Sequence, residues 1–158
     1  MTETTIERSE VHATFVIERE YPVPLGNVWH ALTDSDARAG WFGGGPGFEV
    51  SEQTHDFRVG GRAVEDGRWL DGPTSRFDAT YTDIVEHRRV VFTYDMWVDG
   101  RHLSTSLTTI VVEPEGGATR LTYTEQVAHF DGLDTVESRE EGCRGLLENL
   151  GAYLGRAR

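Results

Sequence analysis

The chain has 158 residues, 37% of them hydrophobic, and a formal net charge of −12 in which every fixed positive charge is an arginine and lysine is absent. That composition excludes Schiff-base and lysine-nucleophile chemistry, opposes binding to nucleic-acid backbones, and with its single Cys143 excludes an internal disulfide. No apolar run approaches the ~18 residues of a membrane span, and Met1 to Val11 lacks the apolar core of a signal peptide, so no membrane partner and a cytoplasmic location are expected.

Residues 1–12 read as a flexible polar lead-in and 13–155 as a single domain. Ala13 to Val23 alternates, with Phe15 and Ile17 on one side, and reads as a first strand ended by Pro22 and Pro24. A helix follows from Leu25 to Leu32, with Leu25, Val28, Trp29 and Leu32 as its apolar face. A second short helix runs toward Trp41, with Thr33 and Asp36 spaced as a cap. The glycine-rich run from Gly43 to Gly47 forbids regular structure and reads as a mobile flap. Strands are then expected within Phe48–Phe57 and over Arg62–Arg68, Arg76–Val85, Arg89–Val98, His102–Glu113 and Thr119–Ala128. Asp99-Gly100 and Glu115-Gly116-Gly117 are hairpin signals, and no crossover helices intervene, so the sheet is an antiparallel meander.

Asp134 to Leu154 is the one long amphipathic helix. Val136, Cys143, Leu146, Leu147, Leu150, Tyr153 and Leu154 form its apolar stripe, while Glu137, Arg139, Glu140, Arg144, Glu148 and Asn149 fall off it. Asp134 is placed as N-cap, with Glu137 three residues on. Gly142, Gly145 and Gly151 interrupt the helix. They either allow close packing on the sheet or, with Cys143, leave room for a ligand. The expected fold class is α+β: a curved antiparallel sheet of six or seven strands wrapped around this helix, with two short helices after the first strand.

Five local motifs carry a family resemblance. Val23-Pro24-Leu25-Gly26-Asn27-Val28-Trp29 leads into Ala31-Leu32-Thr33-Asp34, and Trp41-Phe42 follows. Asp56 to Arg62 forms an Arg-x-Gly-Gly turn, Arg89-Val90-Val91-Phe92-Thr93 a strand, and Gly117 to Thr122 another. In this order they resemble the START-like (SRPBCC) helix-grip superfamily, and within it the activator of the ninety-kilodalton heat-shock protein ATPase. The resemblance implies a cavity between the sheet and the long helix for a small, largely apolar molecule, with no metal or organic cofactor. It also implies two alternatives: a cofactor-independent cyclase or hydrolase of the polyketide-cyclase kind, and a stress-response co-chaperone with a chaperone partner. Many relatives carry tryptophan where Cys143 stands and bulky residues where Ala63 and Glu65 stand, so this cavity is expected to be larger.

Alternation selects the residues that would face it. Phe92, Tyr94 and Met96 share a face with Val90; Ser106 and Thr108 share one with Ser104; Tyr123 and Glu125 share another with Val127. With Trp41, Phe42, Cys143 and Leu147 these form the expected ligand-binding set, with Tyr94, Ser106 and Glu125 orienting the ligand; the alternative is a filled core with satisfied hydroxyls. Glu125 and His102 are the acid–base candidates if catalysis occurs. Cys143, mid-helix, reads as a buried inert thiol. Glu65 is expected either to pair with Arg62, Arg76 or Arg120, or to face outward. None of the six histidines forms a metal pattern, and an edge strand such as Phe48–Phe57 offers a route to a homodimer.

Overall fold

The structure, a computed structural model, describes residues 7–156. Its elements run β1 (Glu10–Tyr21), α1 (Leu25–Thr33), α2 (Ser35–Ala39), β2 (Phe48–His55), β3 (Arg62–Trp69), β4 (Thr74–Val85), β5 (Arg89–Val98), β6 (Arg101–Glu115), β7 (Ala118–Phe130) and α3 (Val136–Arg156). The strands form one seven-stranded antiparallel sheet in the order β1-β7-β6-β5-β4-β3-β2. Only the first strand leaves sequence order, because two helices separate it from the meander and the chain returns to it last. β1 begins before its expected start. Glu10, Val11 and His12, read as lead-in, pair with Phe130, His129 and Ala128; the rest of the lead-in lies largely outside the described residues.

The curved sheet closes around α3. Phe15, Ile17 and Tyr21 of β1 and Leu121, Tyr123 and Val127 of β7 are buried against Cys143, Leu147, Leu150 and Leu154 of the helix. Two contacts set the helix on the sheet. The Tyr21 hydroxyl donates to the Leu147 carbonyl at 2.7 Å. A Cβ on Gly151 would stand 3.1 Å from the Tyr21 ring, so glycine there lets the two elements approach. Gly142 and Gly145 have nothing within 4 Å of that position, so close packing explains only one of the three glycines.

Both helix caps differ from expectation by one residue. α2 is capped by Asp34, whose carboxylate accepts from the Ala37 amide at 3.0 Å, rather than by Thr33. At α3 the Thr135 hydroxyl accepts from the Ser138 amide at 3.1 Å, while Asp134 reaches only the amide next to it. Thr and Asp are both accepted as caps, and at α3 the weaker of the two takes the position, so the turn geometry decides between neighbours. The Gly43–Gly47 run lacks regular structure, and Gly43, Gly45 and Gly47 all have positive φ.

Candidate functional site

The inner face of the sheet follows the alternation. Val90, Phe92, Tyr94 and Met96 of β5 point at α3, next to Ile110 of β6 and Tyr123 of β7. Between them and the helix lies a cavity of about 250 Å³. Its helix wall is Ser138, Arg139, Gly142, Cys143, Leu146 and Leu147, with Asp134 at the start of that side; Trp41 and Phe42 close the side beneath α2. Ala63 and Ala79 sit directly opposite each other on β3 and β4, and both are wall residues. Two small side chains at one cross-strand pair leave volume that bulkier residues would fill. Aromatic rings surround the space: Trp41–Phe42 at 6.0 Å and Phe42–Phe77 at 5.0 Å between centroids meet edge to face, while Phe77–Tyr94 at 4.9 Å and Phe92–Tyr94 at 6.0 Å are tilted. The Trp41 indole donates to the Ala31 carbonyl at 2.8 Å, which fixes that ring.

Of the residues expected to contact a ligand, Trp41, Phe42, Phe92, Tyr94, Met96, Tyr123, Cys143 and Leu147 do form cavity wall. Ser106, Thr108 and Glu125 do not; all three are buried, Ser106 and Glu125 behind the two tyrosines and Thr108 between Phe92 and Glu125 in the sheet. Glu125 is fully buried and its carboxylate is saturated. Oε2 accepts from the Tyr94 hydroxyl at 2.7 Å, the Ser106 hydroxyl at 2.7 Å and the Arg139 guanidinium at 3.1 Å. Oε1 accepts from the Tyr123 hydroxyl at 2.7 Å and the Cys143 thiol at 3.5 Å. Arg139 reaches further, to the Ser104 hydroxyl at 2.6 Å and Asp134 at 3.4 Å.

Arg139 is the main correction to the helix stripe. Expected on the solvent side, its side chain is only 9% exposed. The signal was present: it stands three residues after Val136 and four before Cys143, a position on the apolar stripe. A buried guanidinium is tolerated because Glu125 and Asp134 neutralise it and hydroxyls meet its remaining donors.

The network's titration follows from burial. Burial and then the Glu125 charge push the Cys143 thiol up to about 12, so it stays protonated and unreactive. Burial foremost holds the Tyr94 and Tyr123 phenols well above their ordinary value. His129, opposite Ser104 in the sheet, is 3% exposed and among the described residues has no hydrogen-bond partner on either ring nitrogen. Burial, and secondarily the Arg139 charge, lowers its pKa and keeps it neutral.

His102 does not meet Glu125. A register shift pairs Met96 with Ser104 but Trp97 with His102, leaving Leu103 extra on β6. This bulge turns His102 away from the inner face, where its Nε2 lies 2.8 Å from Asp95 and its ring stacks on Trp97 at 4.2 Å. The proposed acid–base pair is therefore two unconnected groups.

The α2 end of the cavity carries a different polar group. Arg38 forms wall there, with its guanidinium carbon 3.7 Å above the Phe42 ring. Burial lowers its pKa, and among the described residues it makes no side-chain hydrogen bond and no ion pair within 4 Å. Glu65 is near but 8% exposed, and turns toward Gly43 and a second hollow under the glycine run. Its pKa is raised by burial against the opposing Arg38 charge. None of the arginines expected to pair with it does. Arg62 binds Asp78, Arg76 binds Asp66 and Glu52, and Arg120 binds Glu18. Glu65 does not face outward either. Tyr81, also wall, bonds His55 Nε2 at 2.9 Å, and His55 bonds the Ser35 hydroxyl.

Comparison with known proteins places this architecture. The family model described as activator of Hsp90 ATPase homolog 1-like protein matches residues 22–155. A solved structure of a protein from Rhizobium loti is 48% identical, covers 92% of this chain and 99% of its own, and superposes with a TM-score of 0.83. One from Rhizobium leguminosarum is 35% identical over 95% of this chain and 99% of its own, with a TM-score of 0.90. A protein in the dynemicin biosynthetic locus shares the fold at 20% identity and a TM-score of 0.63, over 92% of this chain and 48% of its own. No curated protein matches. Among the described residues no helix is long and apolar enough to cross a membrane.

Proposed function

The chain belongs to the activator of Hsp90 ATPase homolog 1-like family, and on that premise we propose that it binds a small, largely apolar molecule in the space between sheet and α3. The observation that carries this reading is the cavity itself: about 250 Å³ of unfilled volume walled by aromatic and aliphatic side chains. Interiors are otherwise packed to crystal density, so a void of this size is stability forgone unless something occupies it. An apolar cavity of about 150 Å³ takes up benzene, so this one suits about ten non-hydrogen atoms, a ring with a short substituent.

The same geometry argues against turnover by Glu125. A general base needs a free lone pair within reach of its substrate. Both Glu125 oxygens already accept hydrogen bonds, and two tyrosine rings separate them from the cavity. Glu125 acts as a structural anchor that holds the tyrosine edges in place. The cyclase-like alternative, with which the fold shared with the dynemicin-locus protein is compatible, would need another base.

Native mass spectrometry of the purified protein, followed by extraction and identification of any retained compound, tests the proposal. A bound apolar molecule is expected, lost in Cys143→Trp and in Ala79→Leu, which fill the space from opposite walls. A bound molecule that survives both substitutions would place the site elsewhere.

A further inference from the structure

Building on the cavity-binding reading, we propose that the ligand is a small monocarboxylic acid whose apolar body fills the cavity and whose carboxylate sits on Arg38. The polar groups around the cavity are nearly all committed to partners within the fold. The Tyr94 hydroxyl donates to Glu125 and receives Arg139. The Tyr123 hydroxyl donates to Glu125 and meets the Cys143 sulfur. The Tyr81 hydroxyl is bonded to His55. Asp134 accepts from the Thr135 amide and Arg139, and Ser138 stands exposed at the rim. Arg38 alone combines partial burial, a charge and a full set of N–H donors with no acceptor among the described residues.

A guanidinium in that setting lacks most of its hydration without a counter-charge in contact, which is unfavourable unless something supplies acceptors. Phe42 lies under it and holds it in position, so the acceptor has to come from the cavity side or from solvent. A carboxylate matches the fork of the guanidinium in shape and charge, and such bonds are about twice as strong as neutral ones. Orientation follows from the two ends. At the opposite rim Asp134 is itself a carboxylate, and Arg139 beside it has its donors committed to Glu125, Asp134, Tyr94, Ser104 and Ser106, so the acid group points to α2 and the apolar end toward α3. Glu65, though near, turns its carboxylate toward Gly43 and lines the second hollow, not this one.

The test uses an isosteric pair of the right size, 3-phenylpropionate and 3-phenylpropanamide, measured by calorimetry on wild type, Arg38→Met and Ala79→Leu. The acid is expected to bind wild type about tenfold more tightly than the amide, as one charge-assisted bidentate contact warrants. Arg38→Met should remove that preference while leaving the amide's affinity within about twofold. Ala79→Leu should weaken both probes alike. Equal affinities of acid and amide for wild type, or a preference that persists in Arg38→Met, would overturn the assignment of Arg38 while leaving the cavity reading intact. If neither probe binds wild type, both readings fall together.

Discussion

The cavity has two arginines, one near each end, and they are opposites. Arg139 enters from α3 into a closed set of partners: Glu125, Asp134, Tyr94 and two serines. Arg38 enters from α2 and touches an aromatic face, and among the described residues it makes no side-chain hydrogen bond. Burial disfavours both charges. For Arg139 the neighbouring Tyr94 and Glu125 overcome it and hold the proton more tightly than usual, whereas for Arg38 burial prevails and the pKa falls. The contrast separates structure from function. A buried ion whose hydrogen bonds are complete stabilises one arrangement of the fold; a buried ion left incomplete is available to something the chain does not contain.

The largest effect should come from opening the closed end. Glu125→Ala removes the buried counter-charge of Arg139 and leaves it only the part-exposed Asp134, and should destabilise by about 3–5 kcal/mol in urea titration. Arg139→Met should cost a similar amount by stranding the carboxylate. The double replacement Glu125→Leu with Arg139→Met should recover much of the loss, since apolar groups of similar volume substitute well for a buried pair. Additive losses in the double variant would mean that the two do not act as a unit.

At the open end the effects are smaller and of different sign. Arg38→Met removes a partly buried charge that forms no hydrogen bond or contact ion pair among the described residues, so stability should hold or rise by up to about 1 kcal/mol. A loss of several kcal/mol there would erase the distinction between the two arginines. His55 reports on the same end. Burial first, and Arg38 second, lower its pKa to about 4. Its ordinary value is 6.5, so the folded state disfavours the proton. The stability it contributes is complete above pH 6.5 and is lost as pH falls from there through about 4. Discounted for partial exposure, that contribution is about 1 kcal/mol, seen as a shrinking gap between wild type and His55→Gln on acidification. Titration by NMR in Arg38→Met should move the His55 pKa up from about 4 but short of 6.5, because burial, the larger cause, remains.

Most of the architecture could be read from the sequence, because period-two alternation and hairpin signals act locally. Phe92, Tyr94 and Met96 share a face for the same reason that they alternate. What escaped depended on groups meeting across the fold. Arg139 was assigned to solvent by its charge, although its spacing from Val136 and Cys143 put it on the apolar stripe; its buried partners lie on three strands far away in sequence. His102 was assigned to the inner face by alternation, and one extra residue at Leu103 reversed it. Arg38 sits in a five-residue helix, too short for periodicity to show a face. Ala63 and Ala79 make room only because the register sets them opposite each other. The family resemblance marks Ala63 as unusually small, but nothing in the sequence sets Ala79 opposite it.

The account's central claim is that the space between sheet and α3 is a binding site. Methyl-resolved NMR during titration with 3-phenylpropanamide tests it most directly, because the neutral probe does not depend on Arg38. The account predicts saturable shifts in the methyls of Ala63, Ala79, Leu146 and Leu147, with those of the exposed Val11 and Val16 of β1 unmoved. Shifts confined to exposed methyls, or none at all, would contradict it.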